Sequence, residues 1–360
     1  MRRRTFLAQC AALAAPRLAI AGQPRMPSEV AAAKRRAVDY LVGCQRADGS
    51  WTSTVYGAFR DGRALTPLVS LALEQGASAS SSDAAALALD WIASRTSDIT
   101  EMFSVHNASW ILQGSASRDG HARLRRAMIR RLRQLQLNAA NGWHCEHPYF
   151  GGWSYAPRAP KGAGHTAPFQ QPILSASVLA VAGLGAAGVG HEEPVMRDAL
   201  RFLRRCQNFA RHRRRPSRFD DGGFFQLHDD PSRNKAGQAG TDRDGKTRQR
   251  SYTSATADGL RGLLLCGLAE DEPAVAAAAG WLDTFLNPDD VPDLRHYAAY
   301  STAHASALLD RRGRTSAWRD QISRLLLEQQ RPDGSWRNAA GEMREDDPLV
   351  ATSLAVLSLT

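Results

Sequence analysis

Three groups of side chains in this sequence have types and spacings that could do chemistry together. Tyr297, Tyr300 and His304 stand at i, i+3 and i+7, and Met102, His106 and Trp110 at i, i+4 and i+8. On a helix each set lies along one face. Ser254, Asp258 and Arg261 form a third polar stripe. His106, Asp258, Tyr300 and His304 are the candidate catalytic groups, because imidazole, carboxyl and phenol commonly carry protons in general acid–base catalysis. Trp110, Tyr252, Tyr297 and Arg261 are the candidate pocket walls, offering flat aromatic surface and one fixed charge. Each has a plain structural use as well: a buried imidazole can be a satisfied core residue, and Asp258 with Arg261 can be an ion pair. Convergence of the three helices on one hollow would make them a site.

Metal chemistry has little support. Asp289-Asp290-Val291-Pro292-Asp293 has the Asp-Asp-x-x-Asp spacing of magnesium-diphosphate sites, but Pro288 and Pro292 place it in a turn. Asp229, Asp230, Asp242 and Asp244 lack the spacing of a calcium-binding loop. Cys266 and His304 are expected on neighbouring helices, with no third zinc ligand evident. No metal site and no cofactor are therefore expected, zinc included. Of the five cysteines, Cys44, Cys206 and Cys266 sit in apolar helix-like contexts and read as buried free thiols. With Cys145 they match no C-x-x-C pattern.

The elements that must position these residues announce themselves as a repeat. Gln45-Arg46-Ala47-Asp48-Gly49-Ser50-Trp51 recurs as Gln330-Arg331-Pro332-Asp333-Gly334-Ser335-Trp336. Weaker copies join Gln207 to Asp220-Asp221-Gly222-Gly223-Phe224-Phe225, and Gln136 to Asn141-Gly142-Trp143, extended by Gly151-Gly152-Trp153-Ser154-Tyr155. Asp-Gly ends a helix and tryptophan supplies a flat surface that can pin one hairpin to the next. Around these turns run six amphipathic outer helices, near 29–45, 83–95, 120–138, 192–208, 271–286 and 315–330. Six more apolar inner helices follow them, near 63–76, 101–113, 168–187, 250–268, 295–310 and 347–359. No segment alternates with period two long enough to predict a sheet. The expected fold is all-α, an α/α toroid of about six helical hairpins, whose closure would make the two best-matched copies neighbours. Residues 22–360 then form a single domain with a long loop at about 209–250, a rim element of the lid or mobile-insertion kind.

Tyr40-Leu41, Gln45, Gly49 and Trp51 fit the pattern Phe/Tyr-Leu-x3-Gln-x3-Gly-x-Trp. This resembles the QW repeat of squalene–hopene cyclases and protein prenyltransferase β-subunits. The order Val105-His106-Asn107, Gly151–Tyr155, Asp221–Phe224 and terminal repeat is similar to that of a bacterial exported group carrying prenyltransferase/squalene-oxidase repeats. The resemblance spans roughly residues 30–360. It implies the toroid and an apolar, isoprenoid-like ligand, but the family's chemistry does not carry over. The cyclase acid is an Asp-x-Asp-Asp tetrad, whose neighbours keep one carboxyl protonated. The nearest match here, Arg344-Glu345-Asp346-Asp347, has a guanidinium in first place and reads as a helix N-terminus before Pro348. The prenyltransferase zinc set needs an Asp two residues before a Cys, and no Asp-x-Cys occurs.

Composition bounds the rest. With 360 residues, 43% hydrophobic and 23% charged, neither disorder nor a disulfide scaffold is the main state. Arg2-Arg3-Arg4-Thr5-Phe6-Leu7, the apolar stretch through Ala21 and an Ala19-Ile20-Ala21 cleavage site resemble a twin-arginine export signal over residues 1–21. The expected location is periplasmic or extracellular. No apolar run after residue 30 reaches the ~20 residues of a membrane span. Losing Arg2, Arg3, Arg4 and Arg17 lowers the net charge from +10 to +6. The arginines cluster at 118–133 and 201–218, the first cluster interleaved with Leu124, Met128, Leu132 and Leu135. That is the pattern of a solvated outer-helix face, so no nucleic-acid partner is expected. Three functions remain open: a pocket protein for an apolar small molecule, a non-catalytic envelope scaffold with a protein partner, and a polysaccharide lyase or hydrolase.

Overall fold

The computed structural model describes residues 27–359 apart from 77, 99–100, 102, 163–166, 211–216, 228–233, 286–294, 314–316 and 340. Six outer helices, α1 (Pro27–Gly43), α3 (Ala79–Ala93), α5 (Ala122–Leu135), α7 (Pro194–Arg205), α9 (Pro273–Phe285) and α11 (Trp318–Gln329), alternate with six inner ones. The inner helices are α2 (Thr66–Glu74), α4 (Ser104–Gly114), α6 (Leu174–Ala186), α8 (Thr253–Leu265), α10 (His296–Asp310) and α12 (Pro348–Ser358).

The sequence explains the two layers. In α5 only Leu124, Met128, Leu132 and Leu135 are buried; Arg123, Arg126, Arg130 and Arg133 are exposed, while Arg125 and Arg131 are half-buried and bond to neighbouring connections. An outer helix therefore has one apolar stripe. In α6 every residue from Leu174 to Leu184 is buried. With the short turn before it, α6 is long and apolar enough to cross a membrane, yet it is mostly buried among its neighbours. Around the ring α2 packs on α4, α4 on α6, α6 on α8, α8 on α10, α10 on α12, and α12 back on α2. Each later outer helix packs on the inner helix before it in sequence, while α1 packs on α12 and α11. The architecture is a closed α/α toroid. All six inner helices start at the same end, where the long outer-to-inner connections lie.

Four turns fasten the hairpins with the same bonds. The amide of Gln45 donates to the carbonyls of Gly49 (3.1 Å) and Ala84 (2.9 Å), and that of Gln330 to Gly334 (2.9 Å) and Ala33 (2.8 Å). Gln136 reaches Gly151 (3.1 Å) and Val195 (2.8 Å), and Gln207 reaches Gly222 (2.9 Å) and Ala274 (2.8 Å). The second acceptor always lies on another outer helix, so each glutamine staples two hairpins. The backbone N–H of Trp51, Trp153, Phe224 and Trp336 donates to Thr66, Ser177, Thr256 and Thr352 respectively, at 3.0–3.1 Å. The indole N–H groups of Trp51, Trp153 and Trp336 reach back to Leu41, Leu132 and Leu326 at 2.7–2.8 Å. Trp143 is not one of these residues. It belongs to a separate cluster with Leu137, Tyr149, Phe150 and Leu227, because the chain bulges out between Gln136 and Gly151.

Two further expectations need correction. Cys44 is exposed at the end of α1, on the outward side beside Tyr40, whereas Cys206 and Cys266 are buried; the four described cysteines are free thiols. The long loop contains a short antiparallel hairpin, β1 (Gln238–Thr241) and β2 (Thr247–Gln249). Its strands are too short to show alternation. The described part of the loop is tied down by Arg248, which pairs with Asp220 (2.9 Å) and Asp242 (3.5 Å).

Candidate functional site

His106 and Tyr297 stand in the first turn of their inner helices, Asp258 and Tyr300 in the second, and Arg261 and His304 in the third. On α8, Asp258 is fully buried and accepts from the Tyr297 hydroxyl at 3.0 Å and from the Ser301 hydroxyl. Burial pushes its pKa up to about 6, against the opposing pull of those donors and of Arg261. Asp258 and Arg261 are not a direct ion pair. The Arg261 guanidinium lies over the Tyr300 ring at 4.7 Å and donates to Gln113 of α4 at 3.5 Å. It thus bridges α4, α8 and α10 and floors the mouth. Tyr300 packs edge-on against His304, centroids 4.6 Å apart. Burial first, and Arg261 second, hold His304 well below the ordinary imidazole range, so it is neutral at pH 7.

The facing wall is aromatic. His106 on α4 stacks on Tyr155 at 5.3 Å and meets Trp110 edge-on at 5.5 Å and Phe103 at 6.2 Å. Burial and the Arg344 charge bring its pKa down to about 4, so it too is neutral at pH 7. Arg344 lies over three rings, Tyr56 (5.2 Å), Phe59 (5.1 Å) and Phe103 (4.8 Å). Tyr155 joins the two walls: it stacks on His106 and is close enough to Tyr252 and Tyr297 to raise the pKa of both, adding to the larger effect of their burial. Tyr252 stands at the start of α8. Several buried polar atoms here find no partner among the described residues: His106 Nδ1, Trp110 Nε1, Arg261 Nη1, Tyr300 OH and His304 Nε2. Buried polar atoms are normally satisfied by protein or by ordered water, so these are the atoms to which water or a polar ligand group would bond.

The acidic run at the start of α12 is structural. Glu345, fully buried, accepts from the backbone N–H of His296 and Tyr297, both at 2.9 Å, and lies 3.1 Å from His296 Nδ1. Burial opposes its ionisation, but these bonds prevail and hold it below the usual carboxylate range. Asp346 accepts from the Tyr56 hydroxyl, and Asp347 caps α12 through the Leu349 N–H at 2.9 Å. Each carboxylate binds a different element, so the run is a strap that seats Arg344 on its rings.

Every predicted site residue that the structure describes has a clear place. His106, Trp110 and Tyr155 form one wall, and Asp258, Tyr297, Tyr300, Arg261 and His304 the other, with Tyr252 at the rim. Cys266 lies 3.8 Å from the Met196 carbonyl of α7, away from His304, so the two do not meet. Among the described residues no three His, Cys, Asp or Glu side chains are grouped to hold a metal. Asp242 is taken up by its own turn, accepting from Asp244 and Lys246 N–H at 3.1 and 3.0 Å. Met102, Asp229, Asp230, 289–293 and the signal at 1–21 lie outside the described residues. Sequence reasoning did not single out Tyr56, Phe59, Phe103, Gln113 or Tyr155 as site residues, nor Arg344 as a pocket group. Apart from Gln113 they stand in or beside the outer-to-inner connections, and aromatic enrichment there was the available signal.

No family model matches the sequence, and no curated protein is similar to it. The fold does have solved counterparts. A type II terpene cyclase, MstE from Scytonema, is 17% identical with a TM-score of 0.55, covering 92% of this chain and 96% of its own. An unsaturated glucuronyl hydrolase specific for heparin is 11% identical, TM-score 0.59, covering 93% and 96%. An α-1,6-mannanase from Salegentibacter sp. is 9% identical, TM-score 0.58, covering 92% and 98%. At these identities the likeness shows a shared α/α toroid and nothing of activity.

Proposed function

We propose that this is an exported, terpenoid-cyclase-like toroid protein that binds an apolar, isoprenoid-like ligand in the mouth of the inner ring. It lacks the cyclase acid tetrad and the prenyltransferase zinc site. The observation that carries this reading is the wall in which Phe103, Trp110 and Tyr155 each make ring contact with His106. Flat polarisable faces and a neutral imidazole suit an alkene chain. The stapled Gln–Gly–aromatic turns support kinship with prenyltransferase/squalene-oxidase repeat proteins. MstE, a structural counterpart, was solved with geranylgeranyl dihydroxybenzoate as its substrate.

The test is direct. Protein from native expression is extracted with solvent and the extract read by mass spectrometry, and farnesyl and geranylgeranyl compounds are titrated against tryptophan fluorescence. Co-purified prenyl lipid, or micromolar quenching abolished in Trp110→Phe, supports the proposal; no binding by any prenyl compound overturns it. Export is checked by replacing Arg3 and Arg4 with Lys, which should leave the precursor in the cytoplasm if the twin-arginine route is used.

A glycan reading has one observation of its own. Tyr155 is 38% exposed and stacked on His106, a flat open face of the kind that sugars use. With Arg261, Tyr252 and Tyr297 nearby, a uronate lyase fits this mouth better than a hydrolase. Hydrolysis needs two available carboxyl groups, and Asp258 and Glu345 are both buried and bonded within the protein. Turnover on a uronate-containing glycan panel would favour this reading. A pure envelope scaffold predicts that His106, Asp258 and His304 can all become alanine with no change in partner binding.

A further inference from the structure

We infer that Arg344 anchors an anionic group of the bound ligand, so that the ligand is an amphiphile with a carboxylate head and an apolar body. The inference rests on the pocket reading above and adds the polarity of the ligand and the residue that selects it.

Among the described residues Arg344 has no counter-ion. It makes no ion pair with any described residue, and its Nη1 is buried without a hydrogen-bond partner. The acids next to it in sequence are committed elsewhere: Glu345 to the N-terminus of α10, Asp346 to Tyr56, and Asp347 to the N-terminus of α12. Its guanidinium rests instead on the faces of Tyr56, Phe59 and Phe103. That arrangement holds the charge in place while leaving hydrogen-bond donors to offer, and the planar fork suits carboxylate or phosphate.

Its backbone supports a built role. Arg344 is one of two described non-glycine residues with positive φ, at 58°, a conformation that glycine would adopt at less cost. The other is Phe103, at 50°, one of the rings beneath the guanidinium. Two strained residues in direct contact at the mouth point to a retained geometry. Phe103 then touches His106, which touches Trp110 and Tyr155. A head group at Arg344 thus leads an apolar body along the aromatic wall. His106 is held neutral and adds no second charge along that path.

The test compares acid and alcohol probes of matched shape. Wild type, Arg344→Gln, Arg344→Gly and Arg344→Lys are titrated with farnesoic acid and farnesol, with benzoate and benzyl alcohol, and with glucuronate and glucose. Arg344→Gly suits the positive φ, so it removes the charge while keeping the backbone. In wild type the acid of at least one pair should bind tenfold or more tightly than its neutral mate. Both charge-removing variants should lose that preference, read as the ratio of acid to neutral affinity within each variant. Arg344→Lys should keep part of it. The inference is overturned if no pair shows an acid preference, or if the preference survives in Arg344→Gln and Arg344→Gly. An Arg344-dependent preference for benzoate or glucuronate with neither farnesyl probe bound would uphold Arg344 and overturn the isoprenoid reading.

Discussion

The side-chain amide of Gln330 donates to the backbone carbonyl of Ala33 at 2.8 Å, joining residues 297 apart in sequence. The same amide holds Gly334, and the Gln330 side-chain oxygen accepts from Arg36. The last hairpin is thereby clasped to the first helix with the bonds that Gln45, Gln136 and Gln207 make further round the ring. A linear repeat array must cap its ends; here each end caps the other.

Replacing the four glutamines by alanine should give a graded loss of stability. Gln136 and Gln207 are buried, so alanine leaves two carbonyls at each site without donor or water, a cost of about 2–3 kcal/mol. Gln45 and Gln330 are only partly buried, water can replace the amide, and about 1 kcal/mol is expected. Urea unfolding of the four variants checks this order. Equal losses at all four sites would mean that the staples do not act through burial.

Glycine 151 separates backbone freedom from close approach. Gly151 and Gly120 have almost the same φ, +91° and +93°. A Cβ at Gly151 would lie 1.8 Å from the Asp198 carbonyl oxygen, while one at Gly120 would meet nothing within 4 Å. Gly120→Ala should cost only the left-handed backbone penalty, ~1 kcal/mol. Gly151→Ala must also push α7 away and should cost at least ~3 kcal/mol, or prevent folding altogether. Expression yield and urea midpoints of the pair measure the difference.

The fold was readable from the chain because its signals are local and repeated. Gln, Gly and Trp recur at fixed spacing, and outer and inner helices differ in periodicity. Helix spans were placed within a few residues. Trp143 misled because it also follows an Asn-Gly pair; only the bulge between Gln136 and Gly151 shows that Trp153 occupies the repeat position. The site was half readable. Helical spacing put Tyr297, Tyr300 and His304 on one face, and His106 with Trp110 on another. Arg344 looked like the flaw in an acid motif. Its place over Tyr56, Phe59 and Phe103 depends on three connections that are remote in sequence and meet only when the ring closes.

Asp258 and His106 should shape the pH dependence of stability in opposite directions over one window. The Asp258 pKa is raised to about 6 in the folded protein from an ordinary 3.8. The folded state therefore holds the proton more tightly, and the contribution of Asp258 is full below pH 3.8 and lost as pH rises through 6. About two pK units correspond to ~3 kcal/mol. His106 is lowered to about 4 from 6.5, so its contribution is present above pH 6.5 and lost as pH falls through 4. Asp258→Asn should therefore gain stability relative to wild type between pH 4 and 7, by up to ~3 kcal/mol. His106→Gln should show its most favourable difference from wild type near pH 4. Urea unfolding at half-unit pH steps reads both, and parallel profiles for wild type and Asp258→Asn would refute the assignment.

Tyr297→Phe tests whether the Tyr297 hydroxyl serves Asp258 or only fills space. That hydroxyl donates to Asp258 Oδ2 at 3.0 Å, inside a region with no solvent exposure at the carboxylate. Without it one oxygen of a buried charge loses its donor, and the Asp258 pKa should rise further. The loss expected at pH 8, where Asp258 is ionised, is about 2–3 kcal/mol. Near pH 4 the neutral carboxyl tolerates the change better, and the loss should fall to ~1 kcal/mol. A packing role would give the same loss at both values. The double variant with Asp258→Asn separates the cases again: if the hydroxyl acts through the charge, adding Tyr297→Phe to Asp258→Asn should cost clearly less at pH 8 than adding it to wild type, and additive losses would assign Tyr297 to packing alone.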